Sequence, residues 1–132
     1  MKLFAQTIPA LAIVALLSGC SLDPVAMNES GALEESDATH PDDGSFYDPY
    51  KFKADAGWTV TVTMTSTAEG LTPFLHMHGP EGFDQQADGV GGNIATINTT
   101  APTKGEYEVW ANSRQPGETG AYTIAIVANP AQ

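Results

Sequence analysis

The chain is short of basic residues and has a single cysteine, and these shortages limit what the protein can be. Five Lys and Arg residues stand against sixteen Asp and Glu residues, which gives a formal net charge of −11. Because phosphate backbones and anionic lipid surfaces repel such a chain, nucleic-acid binding is excluded. One cysteine also excludes an intramolecular disulfide.

Helical periodicity and the short motifs of common enzymes are missing as well. Beyond residue 20, no segment carries a sustained apolar stripe at helical spacing. The chain has no Gly-x-Ser-x-Gly elbow, no His-Glu-x-x-His pair and no phosphate-binding loop. The sequence therefore predicts a protein that is not an enzyme.

The longest apolar run lies at the amino terminus and is too short to cross a bilayer. Lys2 precedes it, residues 8 to 17 are almost wholly apolar, and Ser18-Gly19 lead to Cys20. About ten apolar residues fall short of the roughly twenty that a spanning helix needs. This layout resembles the signal of bacterial lipoproteins. That resemblance implies a signal peptide over residues 1–19, acylation of Cys20, and a lipid anchor in the cell envelope, with Ser21 favouring the outer membrane.

The next segment, residues 20 to 43, is predicted to be a disordered acidic tether that begins with the lipidated cysteine. It contains no Lys or Arg, and large apolar residues are sparse, so it buries too little surface to offset its conformational entropy. Its acidic residues are Asp23, Glu29, Glu34, Glu35, Asp37, Asp42 and Asp43. The folded domain is predicted to occupy residues 44 to 132.

From residue 44 onward the hydrophobic pattern has a period of two, which is typical of half-buried strands. Residues 58 to 65 alternate Trp, Val, Val and Met with four threonines. Similar patterns predict further strands, separated by stretches rich in Gly and Pro, at residues 47–53, 74–78, 94–98, 107–112 and 122–127. Short strands at this spacing predict an all-β protein, an antiparallel β-sandwich of jelly-roll type.

Two of the strands begin with the same motif, Gly-x-Tyr-x-aliphatic, at Gly105 and at Gly120. A tyrosine at the start of a strand can bury its ring and return its hydroxyl to a nearby backbone group. We therefore expect Tyr107 and Tyr122 to be structural residues that fix two corners of the sandwich.

The order and spacing of these motifs resemble the bacterial pre-peptidase C-terminal domain, a small β-sandwich often appended to secreted proteases. The resemblance runs from Gly44 to Val127, although Leu71-Thr72 stand where members of that family often have an acidic residue. It implies a binding, solubilising or targeting role, with calcium in some relatives and without catalysis. The residues that carry it are 47–52, 56–62, 73–77, 79–82, 105–109 and 116–124.

His76 and His78 are the first candidate ligands. They lie two apart on a predicted strand, so both side chains leave the same face while Leu75 and Met77 point to the core. Two imidazoles suit zinc or copper, although no third strong ligand lies at a diagnostic spacing. His40 can join them only if the tether folds back. The alternative is a pair of half-exposed histidines without a metal.

Carboxylates in the predicted loops are the second candidate set. Asp42, Asp43 and Asp48 lie near the start of the domain, and Asp84 and Asp88 lie in or near the glycine-rich stretch. Oxygen ligands on loops suit Ca²⁺, which takes six to eight of them, but the EF-hand pattern is absent. Solvated carboxylates without an ion are the alternative.

Trp110 is the candidate contact for a partner. It shares strand parity with Glu106 and Glu108, opposite Tyr107 and Val109, and is therefore predicted to be exposed on a polar face. Together these features predict a non-catalytic cell-envelope lipoprotein that serves as an accessory or binding module for an envelope protein or polysaccharide. The alternative function is a periplasmic metal-binding protein.

Overall fold

The computed structural model describes residues 22 to 131, which form two antiparallel sheets packed face to face. Residues 1–21, with the predicted signal peptide and Cys20, lie outside the described residues, as does residue 132. The strands are β1 (Val25–Leu33), β2 (Ala38–Thr39), β3 (Phe46–Ala54), β4 (Thr59–Ser66), β5 (Pro73–His78), β6 (Asp84–Asp88), β7 (Ile94–Thr100), β8 (Gly105–Ser113) and β9 (Gly120–Asn129).

One sheet has the order β1-β9-β4-β7 and the other the order β2-β3-β8-β5-β6. The predicted all-β antiparallel sandwich is thus confirmed. In the described part of the chain the helical content is a 3-10 turn at Pro80–Gly82, and no helix there is long and apolar enough to span a membrane.

Alternation along the strands places the core between the two sheets. On β4, Val60, Val62 and Met64 are buried while the intervening threonines are exposed or half-buried, as the period of two predicts. The other inner faces supply Leu75, Met77, Tyr107, Val109, Ala111, Tyr122, Ile124, Ile126 and Ala128, all at most 1% exposed. Burial of this apolar surface is the main favourable contribution to the stability of the fold.

The prediction of a disordered tether over residues 20 to 43 is wrong for most of that segment. Residues 25 to 33 form β1, which pairs with β9 from Val25 opposite Ala128 to Leu33 opposite Gly120. Leu33 is 1% exposed, and Val25 and Met27 pack against the core. Because β9 supplies a ladder of backbone hydrogen bonds, the segment needs few apolar side chains of its own to be ordered. The folded domain therefore begins before β1 and not at residue 44.

The sequence analysis also missed a second strand, which lies in a polar stretch. Residues Asp84–Asp88 form β6, an edge strand that pairs with β5, so only the following residues make the glycine-rich loop. The sequence Asp-Gln-Gln-Ala-Asp has no apolar alternation because both faces of this edge strand are largely exposed. Its pairing places Asp84 opposite His78.

Tyr107 and Tyr122, the tyrosines of the repeated Gly-x-Tyr motif, are both buried. Only Tyr107 makes the predicted contact between its hydroxyl and a backbone group. The Tyr107 hydroxyl donates to the Thr103 carbonyl oxygen at 2.5 Å, which confirms a backbone corner there. The Tyr122 hydroxyl instead donates to Asp48 Oδ2 at 2.6 Å and lies 2.7 Å from the Tyr50 hydroxyl. The backbone contact predicted for Tyr122 is wrong, because a carboxylate from β3 reaches its hydroxyl between the sheets.

Burial raises the pKa of Asp48 above its ordinary 3.8, and the charges of Asp37 and Glu34 act in the same direction, against the hydrogen bond from Tyr122. Burial also raises the pKa of Tyr122, so this hydroxyl stays protonated and remains the donor. The ionised form of Asp48 therefore lowers the free energy of unfolding.

Replacing Leu33 with Ala is expected to lower the free energy of unfolding by about 2–5 kcal/mol, because the change leaves a cavity under β1. Urea unfolding of both proteins measures the effect. The neighbouring exposed residue offers the control, since Ala32→Ser should change stability little. An unchanged midpoint for Leu33→Ala would mean that the segment is a tether after all.

Replacing Asp48 with Asn is expected to raise the melting temperature at pH 7, because it removes a desolvated charge and keeps an oxygen that accepts from Tyr122. The native carboxyl has a folded-state pKa above its unfolded value, so its penalty disappears as pH falls through that folded pKa. The gain should shrink between pH 7 and pH 4 in thermal unfolding. Asp23→Asn, at an exposed position, is the control. A loss of stability at pH 7 would contradict this account.

Candidate functional site

The outward face of the five-stranded sheet gathers most of the predicted site residues. On β5, His76 lies opposite Trp110 of β8 and Gln86 of β6, and His78 lies opposite Glu108 and Asp84. Leu75 and Met77 point into the core with no exposed surface. The predicted parity of the two histidines is therefore confirmed.

Three of these side chains form a group that can hold a metal ion. His76, His78 and Asp84 each offer one ligand atom, and these atoms lie within 4.8 Å of one another. His76 Nε2 is 3.0 Å from Asp84 Oδ2. The pairing of β6 with β5 thus brings a third candidate ligand beside the two histidines. Asp84, predicted as a calcium ligand in a loop, lies instead beside two imidazoles.

His40 is brought over this group because the predicted tether folds back. Its Nε2 atom is 3.4 Å from His76 Nδ1, and the two rings stack with centroids 5.5 Å apart. The residues after β2 hold His40 through two backbone bonds: its N–H donates to the Ser45 carbonyl oxygen, and the Gly44 N–H donates to its own. Both the backbone of His40 and its imidazole ring are therefore held in place.

His76 is contacted at both of its ring nitrogens. The Asp42 N–H donates to His40 Nδ1 at 3.1 Å, and His40 Nε2 lies 3.4 Å from His76 Nδ1. His76 Nε2 lies 3.0 Å from Asp84 Oδ2 and 3.3 Å from Gln86 Nε2. These contacts hold the His76 ring between the loop after β2 and the edge strand β6.

Trp110 is half-buried, not exposed as predicted. Tyr47 of β3 stacks on it with ring centroids 4.0 Å apart, and His78 lies 4.6 Å away at a tilt of 58°. His40 and His76 meet it edge-on at 5.4 and 5.6 Å. The sequence analysis placed Trp110 on the outward face correctly, but it did not identify Tyr47 as its neighbour. Tyr47 has the same strand parity as Lys51 and Lys53, and this pattern could have placed it on the outward face of β3.

Two polar atoms inside this cluster have no hydrogen-bond partner among the described residues. They are His78 Nδ1 and Trp110 Nε1, and both are buried. A buried polar atom without a partner costs free energy that a bound ligand can offset. Burial, with the neighbouring His76, lowers the pKa of His78 below its ordinary 6.5, so this ring is neutral at neutral pH and free to act as a ligand.

The other predicted calcium ligands are not gathered into one oxygen site. Asp48 lies between the sheets on Tyr122, and Asp43 accepts from both the N–H and the hydroxyl of Ser45. Asp88 accepts from the Val90 N–H and lies 3.6 Å from Arg114. Among the described residues neither of the two predicted carboxylate sets forms a group of three ligand atoms, and calcium binding stays a prediction.

No protein-family model and no curated protein matches the chain. Solved structures do. The pre-peptidase C-terminal domain of a collagenase from Bacillus anthracis is 16% identical with a TM-score of 0.56, over 77% of this chain and 89% of that one. PliG of Aeromonas hydrophila, a periplasmic lysozyme inhibitor of g-type lysozyme, is 18% identical with a TM-score of 0.53, over 80% and 88%. The chain has the fold of a pre-peptidase C-terminal domain.

Replacing His40 with Ala is expected to uncover Trp110, because His40 covers one edge of the indole. Acrylamide should then quench Trp110 fluorescence more strongly, measured in a Trp58→Phe background so that one tryptophan reports. Thr39→Ala, at an exposed position on the same segment, should leave quenching unchanged. Equal quenching in both variants would show that residues 40 to 45 do not rest on the sheet.

Proposed function

We propose that this protein is an exported, non-catalytic binding module that holds a zinc or copper(II) ion on the outward face of its five-stranded sheet. The observation that carries this proposal is the group of His76, His78 and Asp84, whose ligand atoms lie within 4.8 Å of one another on two paired strands. The buried, unpartnered Nδ1 of His78 supports it, because a neutral imidazole without a protein partner is free to bind a cation.

The donor set favours some ions over others. Two imidazole nitrogens with one carboxylate oxygen suit Zn²⁺ and Cu²⁺, whereas Ca²⁺ requires six to eight oxygens. Copper(I) prefers sulfur ligands, and Met77 on the same strand faces the core. The net charge of −11 raises the local concentration of any divalent cation.

Binding requires only a modest closure of the group. Ligands about 2.0–2.1 Å from a tetrahedral ion lie roughly 3.3 Å from each other. Asp84 is exposed and can move by changing rotamer, while His76 is held by His40. The ion would bind the lone pair of His76 Nε2, and the single hydrogen of the neutral ring would then lie on Nδ1, facing His40. Three protein ligands leave a coordination position for water or for a partner's side chain.

The lipid anchor at Cys20 is part of the proposal, with the outer membrane as the expected location. Because β1 begins at Val25, only residues 21 to 24 separate the cysteine from the sandwich. Five residue steps at about 3.3–3.6 Å each reach roughly 17 Å. A lipid on Cys20 would therefore hold the domain close to the membrane and not on a long tether.

The partner we propose is an envelope protein or polysaccharide. A solved protein with this fold is named as a periplasmic inhibitor of a lysozyme, which supports an exported protein with a macromolecular partner. Tyr47 and Trp110 offer aromatic surface beside the metal group on the same face. Aromatic residues contribute strongly to such contacts.

The metal site is tested by thermal unfolding after chelation, with zinc, copper(II) or calcium added singly. An ion at one hundred times its dissociation constant should add about 2.7 kcal/mol, a shift of several degrees. We expect this shift with zinc or copper and its loss in His76→Ala, His78→Ala and Asp84→Asn. Asp88→Asn, on the same strand, should keep it.

Because each variant has its own melting temperature, the shift is compared with and without the ion within that variant. Titration calorimetry should give one ion per chain. A shift with calcium alone, or an equal zinc shift in the three variants, would overturn the proposed ligand set.

A further inference from the structure

A second site is a cleft of about 180 Å³, which lies where the loop after β2 meets β5 and the end of β8. It lies next to the proposed metal group of His76, His78 and Asp84. The loop supplies two carboxylates, Asp42 and Asp43, and the residue after β8 supplies the guanidinium of Arg114. Phe74 of β5 adds an aromatic ring. The cleft thus presents both signs of charge and one apolar surface.

The negatively charged side of the cleft is rigid. Ser45 is fully buried, and its N–H and hydroxyl both donate to Asp43 Oδ1, at 2.9 and 2.7 Å. Asn112, 2% exposed, donates to Ser45 Oγ at 3.0 Å. The hydroxyl bond from Ser45 keeps the pKa of Asp43 below its ordinary 3.8, so this carboxylate is charged at neutral pH. The side is held in place before any ligand arrives.

Both charges retain hydrogen-bonding capacity. The contact between Arg114 and Asp88 is 3.6 Å long, so most of the five N–H donors of the guanidinium are available. Among the described residues, the Asp42 carboxylate has no hydrogen-bond donor, since only its backbone N–H contacts His40. A ligand with one cationic and one anionic group can therefore satisfy both ends of the cleft.

The volume limits the size of that ligand. At about 180 Å³ the cleft is smaller than the 300–1,000 Å³ of ordinary drug-sized sites. A small ligand therefore matches the cleft better than an oligosaccharide does. Calcium is a poor match too, because an imidazole, an aromatic ring and a guanidinium occupy positions where six to eight oxygens would be needed.

We propose that this cleft binds a free α-amino acid, with the ammonium group on Asp42 and Asp43 and the carboxylate on Arg114. Phe74 contacts the small apolar side chain of the ligand. The site shares no ligand atom with His76, His78 and Asp84, so it stands whether or not a metal binds there.

The test is an NMR titration of the full chain in the presence of a chelator, so that the metal group plays no part. The probes are D- and L-alanine, alanine methyl ester, which keeps only the ammonium, and N-acetylalanine, which keeps only the carboxylate. We expect one enantiomer of alanine to bind at least about tenfold more tightly than either blocked form, because each loses a charge-assisted contact. Shifted amide signals should map to residues 42–45, 74 and 112–114.

Variants test which residues bind the carboxylate and which bind the ammonium group of the ligand. Arg114→Gln should remove the preference for alanine over its methyl ester, and the double change Asp42→Asn with Asp43→Asn should remove the preference over N-acetylalanine. Glu35→Gln, an exposed acid elsewhere, is the matched control and should alter neither. Should a variant unfold, the blocked ligands still report the same two contacts on the native chain.

Several outcomes overturn the proposal. Binding of the methyl ester as tightly as alanine would make the cleft a cation site only, and equal binding of N-acetylalanine would make it an anion site only. Shifts that map away from the cleft, or no binding of either enantiomer at tens of millimolar, would also reject it.

Discussion

The pairing of β1 with β9 brings the acidic N-terminal segment onto the sandwich, and both proposed ligand sites depend on it. The nine-residue ladder carries the chain from Val25 to Leu33, which closes one edge of the core. The chain then turns through β2 and brings His40 against His76 and Ser45 against Asn112. Without this return, His76 would lose the ring stacked on it and the cleft beside Phe74 would lose both carboxylates.

A close contact makes that ladder specific. A Cβ atom on Gly31 would lie 2.7 Å from the Tyr122 hydroxyl oxygen and 3.1 Å from that of Tyr50, so only glycine leaves room for the buried tyrosine pair. That pair carries the hydrogen bond to Asp48 across the sandwich. The edge strand is therefore fixed by shape and polar contacts as well as by its few apolar side chains.

Within residues 22 to 131, the outward face of the five-stranded sheet carries the one group of three His and Asp side chains whose ligand atoms lie close together. Cross-strand neighbours in a sheet are only about 5 Å apart, so β6, β5 and β8 place a carboxylate, two imidazoles and an indole side by side. Tyr47 and His40 then cover the indole and one imidazole. These neighbours exclude water from His78 Nδ1 and Trp110 Nε1 and leave both without a protein partner. Each of these buried atoms without a partner lowers the stability of the folded state.

The sequence alone determined what depends on local periodicity. The alternation on β4 and β5 predicted buried Val60, Val62, Leu75 and Met77 and placed both histidines on one face. It did not show β6, because Asp-Gln-Gln-Ala-Asp has no apolar alternation, or β1, because Glu29 and Gly31 interrupt the inward series of Val25, Met27 and Leu33. Tertiary structure alone decided that Asp84 completes the histidine pair, that His40 reaches His76, and that Tyr122 bonds Asp48. Those contacts join residues up to 74 positions apart. Strand pairing, the packing of the two sheets and the return of the loop after β2 set them, and no local pattern encodes these.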